Sequence, residues 1–290
     1  MRKKDALDFI KFGEYFLYKV STGILLCIVI IGGFAYYKNE VSPTPMPTYY
    51  LSNGDKEIIF QAMSHIGSNN FYQTIQENLR EKKKTGYVYY YEGVRPGTDE
   101  NMDKFNSAIG IEFDKDLYKN FSKLYGVVHQ DNSIYLGLEN NKDYNIDLSI
   151  DEIIKYYEND TSKDLPQNKL MEGMNNSEVI DINSEIIKTL SSLNEKELSI
   201  LRYINKGILN FMIGSEGTQN LVMNNFTNQK LFSIILDKRN EVLSDKIITS
   251  NDKKIFITYG LLHFKGVFDI LKKSDNKWKV TKTEFLYPIQ

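Results

Sequence analysis

The sequence predicts an α/β protein whose central, mostly parallel β-sheet is flanked by helices and follows one N-terminal transmembrane helix. Residues 58–62 form a short apolar run that stops at a turn-like segment, as a strand buried on both faces does. Residues 87–91 form a second run, made of β-branched and aromatic side chains without a charge. The residues between the two runs have helical periodicity, and a strand–helix–strand unit of this length normally joins parallel neighbouring strands.

The helix between these two strands has its own start and stop signals. Asn70 and Gln73 have the spacing of a capping box, which satisfies free backbone N–H groups at a helix start. The basic run 82–84 is expected to end the helix, because the helix dipole favours positive charge there. The side chains expected on its buried face are Phe71, Ile75 and Leu79.

Further strands and helices are expected along the rest of the chain. A helical insertion is expected at about 160–225, with a polar loop over 159–180 and a helix start at Asn194 and Glu197. The other expected elements are a helix near 117–124 ended by Gly126, a brief strand at 127–128, a strand at 144–148, a helix capped by Ser149 and Glu152, a helix at 230–248, a strand at 255–259, a helix through 267–271 and a last strand at 278–289. Because the strands resume after the insertion, residues 55–290 are expected to form one α/β domain.

The N-terminal region has the pattern of a single-pass membrane anchor. Residues 20–37 carry no charge, and their length is at the short end of the roughly 17–25 residues that span a bilayer. Basic residues dominate 1–19, so we expect that segment to be cytoplasmic and the rest of the chain to lie outside. A cleaved signal peptide ending at 33–35 is the alternative, but the segment before the apolar run is long for such a peptide. The proline-containing stretch 38–54 is expected to be an extended linker.

Charge and cysteine content exclude two kinds of partner and site. The chain has 36 basic and 38 acidic residues and no basic stripe interleaved with aromatic residues, so nucleic acid is not expected as a partner. Cys27 is the only cysteine, so neither an internal disulfide nor a cysteine-based metal cluster can form.

Three polar side chains follow the expected strands at the edge where parallel sheets bind ligands. His65 follows the first strand, Glu92 follows the second, and His263 follows a late strand. Each histidine comes three residues after a small residue, Ala62 or Gly260, which lets the backbone turn tightly from strand to helix.

These three residue types suit a catalytic metal site. The helix dipole disfavours protonation of a histidine at a helix N-terminus, and the neutral imidazole is the form that metals bind. Two histidines and a carboxylate would leave one coordination position open for water, as catalytic metal sites do. Glu92 could be the third ligand or a general base, and the sequence does not choose between these roles.

The same residues carry a family resemblance. The chain has small-x-x-His at 62–65, a strand ending in Glu-Gly at 92–93, Arg-Asn at 239–240 and Tyr-Gly-x-x-His-x-x-Gly at 259–266. In this order the motifs resemble the TraB/PrgY/GumN/Tiki family over about residues 55–290.

The resemblance implies an α/β fold and, for the Tiki branch, proteolysis that depends on a divalent metal such as Mn, Co or Zn. On this chain the implied metal ligands are His65, Glu92 and His263. Ala62 stands where the family has glycine, and a third Gly-x-x-His at 126–129 lies outside the paired positions. Other members resemble pheromone-sequestering membrane proteins, so the resemblance implies the fold more directly than the activity.

Further side chains are expected to lie near these three. Arg239 falls at helical spacing from apolar positions, so it is expected to point inward and, with Glu92, to be a catalytic candidate. Glu92 could instead form a salt bridge with Arg95. His129 is expected to be structural, and it is the first substitute if His65 is not a ligand. The expected substrate-binding residues are Arg239, Asn240, Arg95 and Asp147.

Two kinds of function follow from these patterns. The first is a membrane-anchored, divalent-metal-dependent peptidase or hydrolase that acts on a peptide or protein and contacts the bilayer through residues 20–37. The second is a non-catalytic membrane-tethered domain that sequesters a peptide or other ligand. Haem is one such ligand, because a distantly related ChaN-like group resembles this fold. Two chains could also associate as a homodimer.

Overall fold

The computed structural model describes residues 3–110, 112, 116–159, 181–214 and 229–290, and it has the predicted α/β architecture. The strands of this described part are β1 Met46–Ser52, β2 Glu57–Met63, β3 Ile66–Gly67, β4 Val88–Tyr91, β5 Val128–His129, β6 Asp143–Asn145, β7 Lys254–Gly260 and β8 Lys279–Leu286. Its helices are α1 Lys3–Tyr36, α2 Asn69–Lys84, α3 Asp99–Ile109, α4 Leu117–Tyr125, α5 Ile150–Asn159, α6 Ile182–Ser192, α7 Glu195–Gly214, α8 Gln229–Thr249 and α9 His263–Ser274.

The central sheet has six strands in the order β6–β4–β7–β2–β1–β8, and β3 pairs with β5 separately. The strands β6, β4, β7 and β2 run parallel, whereas β1 is antiparallel to both β2 and β8. Because β7 lies between β2 and β4, the expectation that β2 and β4 are direct neighbours was wrong. Residues 255–259 of β7 are buried without interruption, as a strand at the centre of a sheet covered on both faces requires.

Two helix starts have the predicted capping boxes. The backbone N–H of Ser149 donates to the Glu152 carboxylate at 2.7 Å, and the backbone N–H of Glu152 donates to the Ser149 hydroxyl at 3.2 Å. Asn194 and Glu197 exchange the same pair of bonds at 2.9 and 3.1 Å.

The predicted capping box at Asn70 and Gln73 was wrong. Ser68 is the N-cap of α2, and its hydroxyl accepts a hydrogen bond from the backbone N–H of Phe71 at 3.1 Å. Asn70 already lies in the first turn of the helix, because a serine with extended backbone precedes it and takes the capping role.

Helices cover both faces of the sheet, and neighbouring strand residues point to opposite cores. Phe60 of β2 packs with Leu243 of α8 and Val267 of α9. Its neighbour Ile59 packs on the other face with Ile75 of α2. With both faces covered in this way, the polar residues that follow the strands collect at the edges of the sheet.

The N-terminal helix includes the predicted anchor, residues 20–37, and is longer than predicted. Tyr15–Val41 is long and apolar enough to cross a membrane, with a mean hydropathy of 2.0 in its most apolar window. A signal sequence has the same properties. The helix α1 continues into a short π-helical turn, Tyr37–Val41.

The structure corrects the expected extended linker at 38–54. The π-helical turn and β1 occupy most of this stretch, so only residues 42–45 connect the apolar helix to the sheet. The prolines favoured a linker in the sequence, but Pro47 is the second residue of β1, near a strand end where sheets tolerate proline.

The expected helical insertion is helical where the structure describes it, in α6 and α7. The remaining parts of the 160–225 prediction, at 160–180 and 215–225, lie outside the described residues. Three strands differ in extent from the prediction. His129 lies within β5 and does not follow it, β6 is Asp143–Asn145, and β8 ends at Leu286.

Candidate active site

Parallel topology brings three sequence-distant residues to one edge of the sheet. The strands β2, β4 and β7 end at this carboxyl edge, where Met63 is level with Gly260. His65, Glu92 and His263 follow these three strand ends within a few residues, as predicted. The carboxyl edge is therefore the place in this fold where their side chains can act together.

Glu92 is the acceptor at the centre of this edge. Its Oε1 accepts a hydrogen bond from Nη2 of Arg239 at 2.5 Å, and its Oε2 accepts one from the backbone N–H of Gly260 at 2.5 Å. Burial alone would raise the pKa of Glu92, but the charge of Arg239 and weaker interactions with His263 and His65, which carry charge only when protonated, outweigh it and lower the pKa to about 2. Glu92 is therefore a carboxylate at neutral pH.

Arg239, on α8, points inward as predicted and joins two carboxylates. Its Nε and Nη2 donate to the two oxygens of Asp147 at 2.7 and 2.8 Å, while Nη2 also reaches Glu92. The Asp147 oxygens also accept the backbone N–H groups of Gly93 and Leu148 at 2.9 and 2.8 Å. The two carboxylates and one guanidinium have a combined charge of −1, so the buried cluster retains a net negative charge.

His263 is the first residue of α9, and a defined partner holds its ring. Its Nδ1 lies 2.8 Å from Oδ1 of Asn240. An amide oxygen can only accept, so Nδ1 carries the proton and Nε2 carries the lone pair. Nε2 lies 3.9 Å from Oε1 of Glu92, which is too far for a direct hydrogen bond and close enough for one small bridging group.

Burial lowers the pKa of His263 to about 4, against the opposing attraction of Glu92, so the ring is neutral at pH 7. We expect the His263 ring signals in NMR to stay those of a neutral imidazole as the pH falls to about 5. Between pH 6.5 and 4 the unfolded chain binds a proton at this ring that the folded chain does not bind. His263 therefore makes the fold less stable as the pH falls through this window. Titration of the His263 ring near pH 6.5 in the folded protein would contradict its buried position.

Two glycines lie in close approaches at this site, and the approach at Gly266 requires glycine. A Cβ at Gly266 would lie 2.1 Å from Nδ2 of Asn240, so only glycine lets Asn240 reach His263. A Cβ at Gly260 would lie 3.3 Å from Oε2 of Glu92, beside the N–H that Glu92 accepts. The sequence showed Gly266 as a motif position but not its contact, since the spacing within α9 does not reveal which residue of α8 it faces.

His65 lies in the turn between β2 and β3 and is exposed at the rim of the site. Its ring stacks on Tyr118 of α4, with ring centroids 4.5 Å apart, and its carbonyl accepts the backbone N–H of Gln130 at 2.8 Å. Desolvation by the surrounding protein lowers the pKa of His65, although the charge of Glu92 opposes this. The same interaction lowers the pKa of Glu92, so the two groups are near enough to affect each other's protonation. Tyr118 was missed in the sequence because no motif surrounds it.

The other predicted residues have different surroundings. Arg95 forms a salt bridge with Glu152 at 2.8 Å, and both side chains are about half exposed, so the suggested pair of Arg95 with Glu92 was wrong. Glu92 does not pair with Arg95 because Arg239 forms a salt bridge with it from the interior of the protein. Asp147 supports Arg239 and Asn240 supports His263, while a substrate-binding role for Arg239, Asp147, Asn240 and Arg95 stays a prediction. His129 is exposed and pairs with Ile66 in the small sheet.

The residues at this edge fit a divalent metal by their donor chemistry. The Nε2 lone pair of His263 is available, and in the described part of the chain no hydrogen bond is made by the ring nitrogens of His65. The Asn240 contact is also the kind of second hydrogen bond that orients metal-binding histidines. Glu92 fits less well, because Arg239 and Gly260 already occupy both of its oxygens. No group of three or more His, Cys, Asp or Glu residues within the described ranges has the arrangement of a complete metal site.

The fold and the site together define an α/β protein with a buried Glu–Arg–Asp cluster and a neutral histidine at the carboxyl edge of its sheet. Comparisons with protein-family models, curated proteins and solved structures gave no match to this chain.

Proposed function

We propose that this chain is a membrane-anchored, divalent-metal-dependent hydrolase that cleaves peptide bonds at the carboxyl edge of its sheet. His65 and His263 hold the ion, beside Glu92. Residues 20–37 anchor the chain, with the N-terminus cytoplasmic and the domain outside. The observation that carries the proposal is the 3.9 Å gap between the Nε2 lone pair of neutral His263 and Oε1 of ionised Glu92. The order of motifs, which resembles the TraB/PrgY/GumN/Tiki family, supports the same reaction, since the Tiki branch of that family is proteolytic.

Each residue of the cluster has a separate task in this scheme. When bound, a divalent ion supplies a Lewis acid that polarises the peptide carbonyl and acidifies water. Glu92 would orient the attacking water at the gap beside Oε1 and receive its proton. Arg239 keeps Glu92 ionised, so its carboxylate can accept a hydrogen bond from that water. Asn240 keeps the Nε2 of His263 unprotonated.

The chain offers a matched control for testing this proposal, because its three histidines include one outside the cluster. We expect the full-length protein, purified in detergent, to contain a divalent metal by elemental analysis and to cleave peptides. His263→Ala should remove the metal and lower cleavage more than about 100-fold, since even loss of an outer partner of a metal ligand costs about 10–100-fold. His129→Ala should leave both unchanged. A wild-type protein without metal, and equal cleavage by His263→Ala, would refute the proposal.

One observation favours a non-catalytic function instead. Glu92, Asp147 and Arg239 satisfy one another so fully that the cluster could serve only to hold the edge of the sheet together. In that case the exposed His65, which stacks on the half-buried Tyr118, would contact a sequestered peptide. Calorimetry would then show peptide affinity that survives both a chelator and His263→Ala. Haem as the ligand predicts a Soret band after reconstitution, and its absence would eliminate haem.

A further inference from the structure

The helix α7 packs directly on the end of α1. A Cβ at Gly207 would lie 2.7 Å from Cα of Ala35, so the two helices approach closely through small residues, as helices in membranes do. The ring of Phe211 meets the ring of Phe34 edge to face, with centroids 5.7 Å apart. Phe34 and Ala35 both lie within Tyr15–Val41, the helix that is apolar enough to cross a membrane.

Polar contacts fix the height of α7 along α1. Nδ2 of Asn39 donates to the carbonyl of Tyr203 at 2.9 Å, and Nδ2 of Asn210 donates to Oδ1 of Asn39 at 3.1 Å. The Oδ1 of Asn210 also accepts the backbone N–H of Thr44, which follows α1, at 3.2 Å. The polar end of α1 therefore contacts α7 at both Tyr203 and Asn210, while Phe211 lies beside Phe34. Phe34 lies three residues inside the apolar segment that ends at position 37, a depth of about 5 Å at about 1.5 Å per residue.

The surface that α7 leaves uncovered is apolar and carries no acid. Past Glu197 the helix contains no acidic residue and two basic ones, Arg202 and Lys206. The apolar residues that it exposes beside α1 are Ile200, Tyr203, Ile208, Phe211 and Met212. An apolar face with basic flanks is the composition of helices that lie in the boundary between lipid headgroups and acyl chains.

We propose that the exposed apolar face of α7, formed by Ile208, Phe211 and Met212, rests in the lipid bilayer beside α1, in the leaflet from which the domain emerges. The partner is lipid because α7 packs on Phe34 and Ala35, so this face continues the apolar surface that α1 itself presents to the membrane. This second contact holds the domain in one orientation on the membrane. The inference goes beyond the proposed hydrolase and rests only on its membrane anchor.

Lipid-quenching of a fluorescent label tests the inference on the full chain. NBD is attached at position 208 in Cys27→Ser/Ile208→Cys, at position 248 in Cys27→Ser/Ile248→Cys, and at Cys27 of the unmodified chain. Ile208 and Ile248 are each 39% exposed and each lie on a helix, so the two labels form a matched pair. Ile248 lies at the opposite edge of the sheet, where Lys56 caps the end of α8. The labelled proteins are reconstituted into phosphatidylcholine vesicles with a minor fraction of phosphatidylglycerol, with and without doxyl-labelled phosphatidylcholine.

We expect strong quenching and blue-shifted emission at positions 27 and 208, and several-fold weaker quenching at position 248. Equal quenching at 208 and 248, with strong quenching at 27, would overturn the α7 contact and leave the anchor intact. Weak quenching at all three positions would overturn the anchor and the α7 contact together. Neither outcome bears on peptide cleavage, so failure of this inference is distinct from failure of the hydrolase.

Discussion

Arg239→Met is expected to destabilise the fold by about 3–5 kcal/mol at pH 7, because it leaves buried carboxylates without the cation that pairs with them. Glu92 and Asp147 are each at most 10% exposed at the side chain. Methionine keeps most of the side-chain length, so lost packing contributes little. Denaturant unfolding in detergent, followed by the fluorescence of the buried Trp278, measures the loss.

The pH dependence separates this effect from lost packing. The folded pKa of Glu92, about 2, is below its usual 4.5, so its contribution to stability is present above pH 4.5 and is lost as the pH falls towards 2. Without Arg239 the largest remaining influence on Glu92 is burial, which raises its pKa. Glu92 of the variant should therefore be protonated as the pH falls, and protonation removes the unpaired buried charge that destabilises the fold. The difference in stability between variant and wild type should therefore shrink from pH 7 to pH 4. A difference that does not vary with pH would contradict the explanation.

A surface arginine provides the matched control. Arg95→Met removes an equally short salt bridge, but Arg95 and Glu152 are about half exposed. Exposed ion pairs contribute about 0–1 kcal/mol, so this variant should unfold almost as the wild type does. Equal losses for Arg95→Met and Arg239→Met would mean that burial of the central cluster is not the cause.

Gly266→Ala is expected to detach Asn240 from His263. Under the proposed function it should lower hydrolysis about 10–100-fold, the usual cost of removing a second hydrogen bond from a metal-binding histidine. The added Cβ would lie 2.1 Å from Nδ2 of Asn240, so either the side chain or the helix must move. Overpacking of this kind costs about 1–3 kcal/mol of stability. Nitrogen NMR of the His263 ring measures the effect independently of activity, because release of Nδ1 permits the other tautomer.

Two further variants identify the cause of that loss. Asn240→Asp keeps an oxygen acceptor opposite Nδ1 of His263 and should preserve the tautomer. Lys265→Ala changes an exposed neighbour on α9 and should change neither tautomer nor activity. A Gly266→Ala protein with the wild-type tautomer and full activity would show that Asn240 does not position His263.

The fold class followed from local patterns, because buried strands and amphipathic helices are visible in short windows. The runs at 58–62 and 255–259 lie in strands of the sheet, and so does the run at 87–91 except for its first residue. The strand order did not follow from them, since which strand lies between β2 and β4 depends on packing between distant segments. β1 was missed for a related reason, as its prolines have the local signature of a linker while its pairing with β2 and β8 is long-range.

The site was predictable where parallel topology determined position. Strand ends placed Glu92 and His263 at one edge, and helical spacing placed Arg239 inward. Three contacts were not predictable, because each joins different elements and the rotation of one element against the other is not visible in the sequence. They are the pairing of Arg239 with Asp147, the contact of Asn240 with His263, and the stacking of Tyr118 on His65. The sequence therefore suggested Arg95, which is close in the chain, as the partner of Glu92, whereas the actual partner is Arg239, which is distant in the chain.

The short connection before β1 restricts how far the edge that carries His65 and Glu92 can move from α1. Residues 42–45 can extend over at most about 14 Å, at about 3.3–3.6 Å each. The pairing of Thr48 with Gln61 shows that β1 enters the sheet from the edge that carries His65 and Glu92. This edge of the sheet is therefore held near the end of α1. Under the proposed function, it would cut only protein chains that lie close to the lipid surface.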